Sequence, residues 1–170
     1  MARVVFPGAE GAYTQAAMEQ YFGENVNSFH VDTFRDAMIA IDEGSADYAV
    51  LPIENSTAGI VNEIYDMLVE FENYIVGEQI IKIEHCLMAV PGTRIEDIKT
   101  VYSHPQSLMQ SARFLQGHTS WKQIGMNNNA FAARKVAEDK DKTQAAIAGI
   151  HAAKTYGLEI LEKGINQSVT

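Results

Sequence analysis

Three short stretches of this sequence concentrate small polar side chains directly after an apolar run. They read FPGAEGAYT (6–14), PIENSTAGIV (52–61) and YSHPQSLMQ (102–110). Each contains proline or glycine and leads into a segment with helical spacing. Amides, hydroxyls and the free N–H groups at a helix start can hold a small anion. Together the three stretches predict a site for a compound that carries carboxylate or hydroxyl groups.

The first two stretches also have purely structural interpretations. Gly8 and Gly11 could serve only a tight turn, since glycine readily adopts positive φ. Any one of Asn55, Ser56 and Thr57 could cap the following helix. Three candidates for a single cap are more than capping needs, which favours a ligand-binding role for the second stretch.

The third stretch is partly explained by helix capping. Ser103 followed by Gln106 fits a capping box, and Pro105 suits the first helical turn. Capping does not explain Gln110. Positions 103, 106 and 110 would share one helical face, so a polar stripe leading to a binding site is an open alternative.

The histidines and the single cysteine carry weaker signals. His85 lies in an apolar run and is expected to be a core histidine with a satisfied hydrogen bond, and its neighbour Cys86 is expected to be core as well. One cysteine excludes an internal disulfide and a thiolate metal cluster. His30, His104 and the other histidines show no paired ligand spacing, so no metal site is expected.

Strand-like and helix-like segments alternate along the chain, which indicates an α/β fold. The patterns predict, among others, strands at Arg3–Phe6, Ala145–Gly149 and Leu158–Leu161 and a helix at Pro105–Leu115. A long apolar stretch, residues 74–90, interrupts the alternation and suggests a crossing between two lobes. We expect a first lobe of residues 1–76 plus about 158–170 and a second lobe of residues 77–157. A cleft between two such lobes is a common place for a small-molecule site.

Composition and charge argue against several classes of protein function. The 170 residues carry a formal charge of −9, which argues against general binding to nucleic acid or acidic membranes. No apolar run approaches the roughly 20 residues that span a bilayer. The start, MARVVFPG, lacks the apolar segment of a secretory signal. A cytoplasmic protein is expected.

The motifs resemble the catalytic domain of prephenate dehydratases along essentially the whole chain. The resemblance rests on PGAEGAYT, DYAVLPIENSTAGIVNEIYDML, HCL, VYSHPQSLMQ, AAIAG and YGLEIL. It implies two α/β lobes like those of a type II periplasmic binding protein, with the active site in the cleft. It also implies conversion of prephenate to phenylpyruvate, with loss of water and carbon dioxide and without a cofactor, by a homodimer.

The resemblance also assigns residues. It implies active-site roles for Asn55, Ser103 and Gln110, with Asn55 and Gln110 orienting the substrate and Ser103 contacting a carboxylate or hydroxyl group. The residues expected to bind substrate around them are Gly8, Gly11, Thr14, Ser56, Thr57, His104 and Gln106.

The sequence departs from the family at its end. The family pattern closes with Asn-x-Thr-Arg-Phe, whose threonine and arginine are expected at the active site, whereas this sequence ends INQSVT. Thr170 could be that threonine, but Ser168 stands where the pattern has asparagine. We therefore expect these 170 residues to be weakly active or inactive. We expect neither the regulatory ACT domain of the family nor the chorismate mutase segment of its bifunctional members within these 170 residues, and fusion to either in the whole protein is left open.

Two other functions fit the same residues. A two-lobed α/β protein can bind a carboxylated ligand without any chemistry. Alternatively, the substrate could be prephenate and the reaction a decarboxylation that keeps the hydroxyl group.

Overall fold

The computed structural model describes residues 1–55 and 59–166, with the backbone only at residues 55 and 59. The chain forms two compact units. One consists of Met1–Ala9 and Tyr13–Ile81, and the other of Glu10–Ala12 and the chain from Lys82 onward. None of the helices in the described part of the chain has the length and hydrophobicity needed to cross a bilayer.

In its described residues, the first unit contains a three-stranded parallel sheet, a small hairpin and three helices. The strands are β1 (Arg3–Pro7), β2 (Asn27–Val31) and β3 (Tyr48–Ala49), in the order β2-β1-β3. The hairpin pairs β4 (Glu54–Asn55) with β5 (Gly59–Ile60), and the helices are α1 (Tyr13–Phe22), α2 (Phe34–Asp42) and α3 (Asn62–Glu70).

The central strand of the first sheet is buried on both faces. Val4 and Phe6 pack with Met18 of α1, whereas Val5 packs with Ala37 of α2. Successive side chains of a strand point to opposite faces, so a run of apolar residues such as RVVF suits a strand covered on both sides. The sequence therefore places the polar residues of the first stretch directly after a buried strand.

Up to residue 166, the second unit contains a five-stranded mixed sheet and four α-helices. The strands are β6 (His85–Ala89), β7 (Thr100–Ser103), β8 (Lys122–Gly125), β9 (Gln144–Gly149) and β10 (Glu159–Glu162). The helices are α4 (Pro105–Gln110), α5 (Ala112–Leu115), α6 (Asn129–Asp139) and α7 (Ile150–Tyr156). The strand order is β10-β6-β9-β7-β8, and β6 runs antiparallel to the other four strands.

This mixed sheet, in which one antiparallel strand lies within an otherwise parallel set, agrees with the expected fold like that of a type II periplasmic binding protein. The expected α/β class is thereby confirmed. Cys86 and Met88 face a core formed with α6 and α7, and Leu87 and Ala89 face the opposite core. The expectation that Cys86 is a core residue is also confirmed, because its side chain is fully buried.

Three expectations about the chain path are wrong. Residues 158–166 do not return to the first unit, because β10 pairs with β6 and Ile165 packs in the core of the second unit. The division falls between Ile81 and Lys82 rather than after residue 76. The expected continuous helix over 105–115 is two helices that meet at Ser111.

Candidate functional site

The buried end of β7 organises the third polar stretch. Ser103 is fully buried, and its hydroxyl oxygen lies 2.8 Å from the carbonyl oxygen of Ile147 and 2.8 Å from Oδ1 of Asn129. A serine hydroxyl has one proton, so it donates to one of these acceptors at a time. Ser103 therefore tightens the turn after β7 through contacts inside the second unit.

Asn129, at the start of α6, connects three parts of this turn. Its Oδ1 accepts a hydrogen bond from the backbone N–H of His104 at 2.9 Å. Its Nδ2 donates to Oγ of Ser107 at 2.8 Å. Sequence reasoning missed this residue, although a run of three asparagines, residues 127–129, exceeds the needs of one helix cap. Asn128 is the cap, because its Oδ1 accepts from the N–H of Phe131 at 2.8 Å.

The capping-box interpretation of Ser103 is wrong. The cap of α4 is His104, whose Nδ1 accepts a hydrogen bond from the backbone N–H of Gln106 at 3.0 Å. Pro105 is the first helical residue, so Ser103 belongs to the strand and cannot share a helical face with Gln110. The side chain of Gln106 is exposed. The polar stripe that the spacing left open as an alternative is therefore not formed.

Gln110, the last residue of α4, is directed to the second sheet. Its Oε1 lies 2.8 Å from Nε2 of His85, the first residue of β6. A carboxamide oxygen can only accept, so His85 donates from Nε2–H. Burial lowers the pKa of His85, and the hydrogen bond to Gln110 opposes that shift in part. The expectation of a buried histidine with a satisfied hydrogen bond is confirmed, and its partner is one of the residues expected at the active site.

The first polar stretch divides between the two units. Gly8 has a φ of 105°, and its N–H donates to the carbonyl of Val31 at 2.8 Å within the first unit. The hydroxyl of Thr14, at the start of α1, donates to the carbonyl of Pro7 at 3.1 Å. This hydrogen bond from the Thr14 hydroxyl closes the loop between β1 and α1.

Gly11 belongs to the second unit and is tightly surrounded there. Its φ is 90°, and a Cβ at this position would lie 3.0 Å from Cε2 of Tyr156 and 3.3 Å from Cα of Ala152. The hydroxyl of Tyr156 donates to the carbonyl of Glu10 at 2.7 Å. The GAEGAY segment therefore needs glycine at position 11 for its backbone conformation and for the close approach of α7.

The second polar stretch lies largely outside the described residues. Ser56 and Thr57 are not described, and at Asn55 only the backbone is, as part of β4. Thr170 also lies outside the described residues. The roles expected for these side chains stay predictions.

Comparison with known proteins establishes the family. The family model of prephenate dehydratase matches residues 4–170. The chain belongs to the prephenate dehydratase family. It is 37% identical over 165 residues to the bifunctional chorismate mutase/prephenate dehydratase of Escherichia coli K12, a match that covers 95% of this chain and 43% of that protein. The chain therefore spans less than half the length of this relative.

Two solved structures share the fold. The prephenate dehydratase from Arthrobacter aurescens in complex with L-Phe has a TM-score of 0.86 and 27% identity, covering 98% of this chain and 56% of that one. A protein described as GqqA, a novel type of quorum quenching acylase, has a TM-score of 0.88 and 31% identity, covering 98% of this chain and 60% of that one. The expected likeness to prephenate dehydratases in sequence and fold is confirmed.

Proposed function

We propose that this domain converts prephenate to phenylpyruvate. The observation that carries the proposal is the match of the prephenate dehydratase family over residues 4–170. The same activity appears in the name of the E. coli relative. This agreement supports the dehydratase reaction over the acylase activity named for GqqA.

The reaction needs orientation and electrostatic stabilisation more than a strong nucleophile. The bond between the ring and its carboxylate breaks, and its electron pair enters the ring while hydroxide leaves from C4. With one proton taken up, the prephenate dianion gives the phenylpyruvate anion, carbon dioxide and water. Formation of an aromatic ring drives the process. Neutral donors that hold two carboxylates and align the breaking bonds suit this chemistry.

Gln110 and Asn55 are the residues that we assign to direct orientation of the substrate. Gln110 has a carboxamide held in one place by His85. Ser103 is fully buried and bonded inside the second unit, so we assign it a positioning role in place of the expected contact with substrate. With Asn129 it fixes the turn that carries His104 into α4.

The remaining assignments follow from the family resemblance and are part of the proposal. Gly8 and Gly11 shape the first loop, Thr14 closes it, and Thr170 is the candidate partner of the leaving hydroxyl group. Substrate contacts from the second and third stretches would come from Ser56, Thr57, His104 and Gln106. No cofactor takes part. A cytoplasmic homodimer and fusion to chorismate mutase or ACT domains in the whole protein stay predictions.

Product analysis tests the reaction. We expect the whole protein to consume prephenate and to form phenylpyruvate, detected by its enolate absorbance in base, with one equivalent of carbon dioxide. Carbon dioxide without that absorbance would indicate decarboxylation alone. Saturable binding of prephenate without either product would indicate a binding protein. Each of the last two results would contradict the dehydratase proposal.

A further inference from the structure

His85 is a buried polar side chain in an otherwise apolar strand. Only 2% of its surface is exposed, and the four residues that follow it in β6 are all apolar and fully buried. Burying an imidazole without hydrogen bonds costs free energy, so a histidine at such a position requires partners. Its ring partner, Gln110, lies 25 residues away in sequence and is a residue that the proposed function places on the substrate.

The backbone of His85 is held as firmly as its ring. Its N–H donates to Oδ1 of Asn166 at 3.0 Å, and its carbonyl accepts from the N–H of Ile165 at 3.0 Å. Asn166 in turn donates from Nδ2 to the carbonyl of Ile83 at 3.2 Å. The imidazole therefore projects from a fixed point at the start of a central strand, and a group on such an element is located more precisely than one on a loop.

The hydrogen bond between Nε2 of His85 and Oε1 of Gln110 determines the orientation of the Gln110 carboxamide. With Oε1 accepting from His85, the amide NH₂ of Gln110 is turned away from the imidazole. A free glutamine side chain loses conformational entropy when it is fixed. A hydrogen bond that fixes it before substrate arrives removes that cost from the reaction.

We propose that His85 is a positioning residue that orients the Gln110 carboxamide so that its NH₂ group faces the substrate. The inference rests on the proposed function. Burial keeps the imidazole neutral at neutral pH, because it lowers the pKa of His85. A neutral imidazole has one N–H, and the contact with Gln110 places that proton on Nε2.

A double-mutant cycle separates this role from simple core packing. His85→Phe keeps a flat ring and removes the donor, His85→Gln keeps a donor near the position of Nε2, and Gln110→Met removes the carboxamide. We expect His85→Phe to lower kcat/KM for prephenate about tenfold or more, and His85→Gln to recover most of that loss. In the Gln110→Met background, His85→Phe should cause little further loss, because the group that His85 orients is gone.

Two results would overturn the proposal. One is an equal loss from His85→Phe with and without Gln110. The other is a failure of His85→Gln to recover activity although its thermal unfolding matches that of the wild type.

The ¹⁵N NMR signals of the His85 ring in the wild-type protein add a test that needs no turnover and no variant. We expect the Nε2–H tautomer, and an Nδ1–H tautomer would contradict the proposed contact. If the wild type does not turn over prephenate but shows the Nε2–H tautomer, the proposed function fails and the contact stands.

Discussion

Replacing Gln110 by methionine should lower kcat/KM for prephenate by about 10²- to 10³-fold, the loss typical of removing one preorganised donor from a site where charge develops. Methionine is close to glutamine in length and volume, so the end of α4 should keep its packing. The whole protein should be assayed by formation of phenylpyruvate, with thermal unfolding measured on the same preparation. We expect kcat/KM to fall because methionine lacks the carboxamide, which His85 holds in one orientation in the wild-type protein.

Gln116→Met is the matched control for this prediction. Gln116 lies six residues further along the chain, and its side chain is exposed. The same substitution there should leave kcat/KM unchanged. If Gln110→Met also leaves kcat/KM unchanged in a folded protein, Gln110 does not orient the substrate.

Replacing Gly11 by alanine should destabilise the protein considerably more than replacing Gly23 by alanine. Both glycines have a strongly positive φ, 90° at Gly11 and 97° at Gly23, so both variants carry a similar backbone strain of about 1–3 kcal/mol. A Cβ at Gly23 would meet nothing within 4 Å, whereas one at Gly11 would lie 3.3 Å from Cα of Ala152. Crowding against backbone typically adds about 1–3 kcal/mol.

The free energies of unfolding of the two variants, measured with denaturant, give the destabilisation that is due to crowding alone. The difference between them should be at least about 1 kcal/mol, since the strain is common to both. Equal destabilisation by the two substitutions would mean that α7 moves away from the GAEGAY segment at no cost. The close approach at Gly11 would then contribute nothing to the stability of the protein.

Most strands of the two sheets and most helices could be predicted because their signals are local, whereas the hairpin of β4 and β5 was not predicted. The run RVVF at the start of β1 and the run AAIAG in β9 are apolar, short and bounded by polar residues, so both were expected as strands. Helix α7 was missed because Gly149, which precedes it, offers no side-chain cap. Its seven residues are also too few for a clear helical period.

The pairing partner of the last strand could not be predicted. A strand was expected over 158–161, and β10 is present at Glu159–Glu162. Its sequence shows that it is extended but does not specify which sheet edge it joins. The return to the first lobe was inferred from general two-lobe architecture, and the observed pairing with β6 places this strand in the second unit.

The sequence predicts the candidate site as three polar stretches, but it does not predict the contacts that hold their side chains. Gln110 was singled out because capping did not explain it, and its partner His85 was interpreted as a core residue. The interpretation of His85 is confirmed, and the role of Gln110 at the substrate stays a prediction. The hydrogen bond between them joins residues 25 apart and leaves no mark in local spacing. The same applies to Asn129 and Ser103, which are 26 residues apart.

The most direct test of the account is a titration of the isotopically labelled Gln110→Met protein with prephenate, followed by amide NMR signals. Slow turnover in this variant keeps the substrate intact during the measurement. We predict that signals from residues 6–14, 52–61 and 102–110 all shift with one common Kd. Shifts confined to a single stretch, or to residues outside all three, would contradict the claim that these polar stretches bind the same molecule.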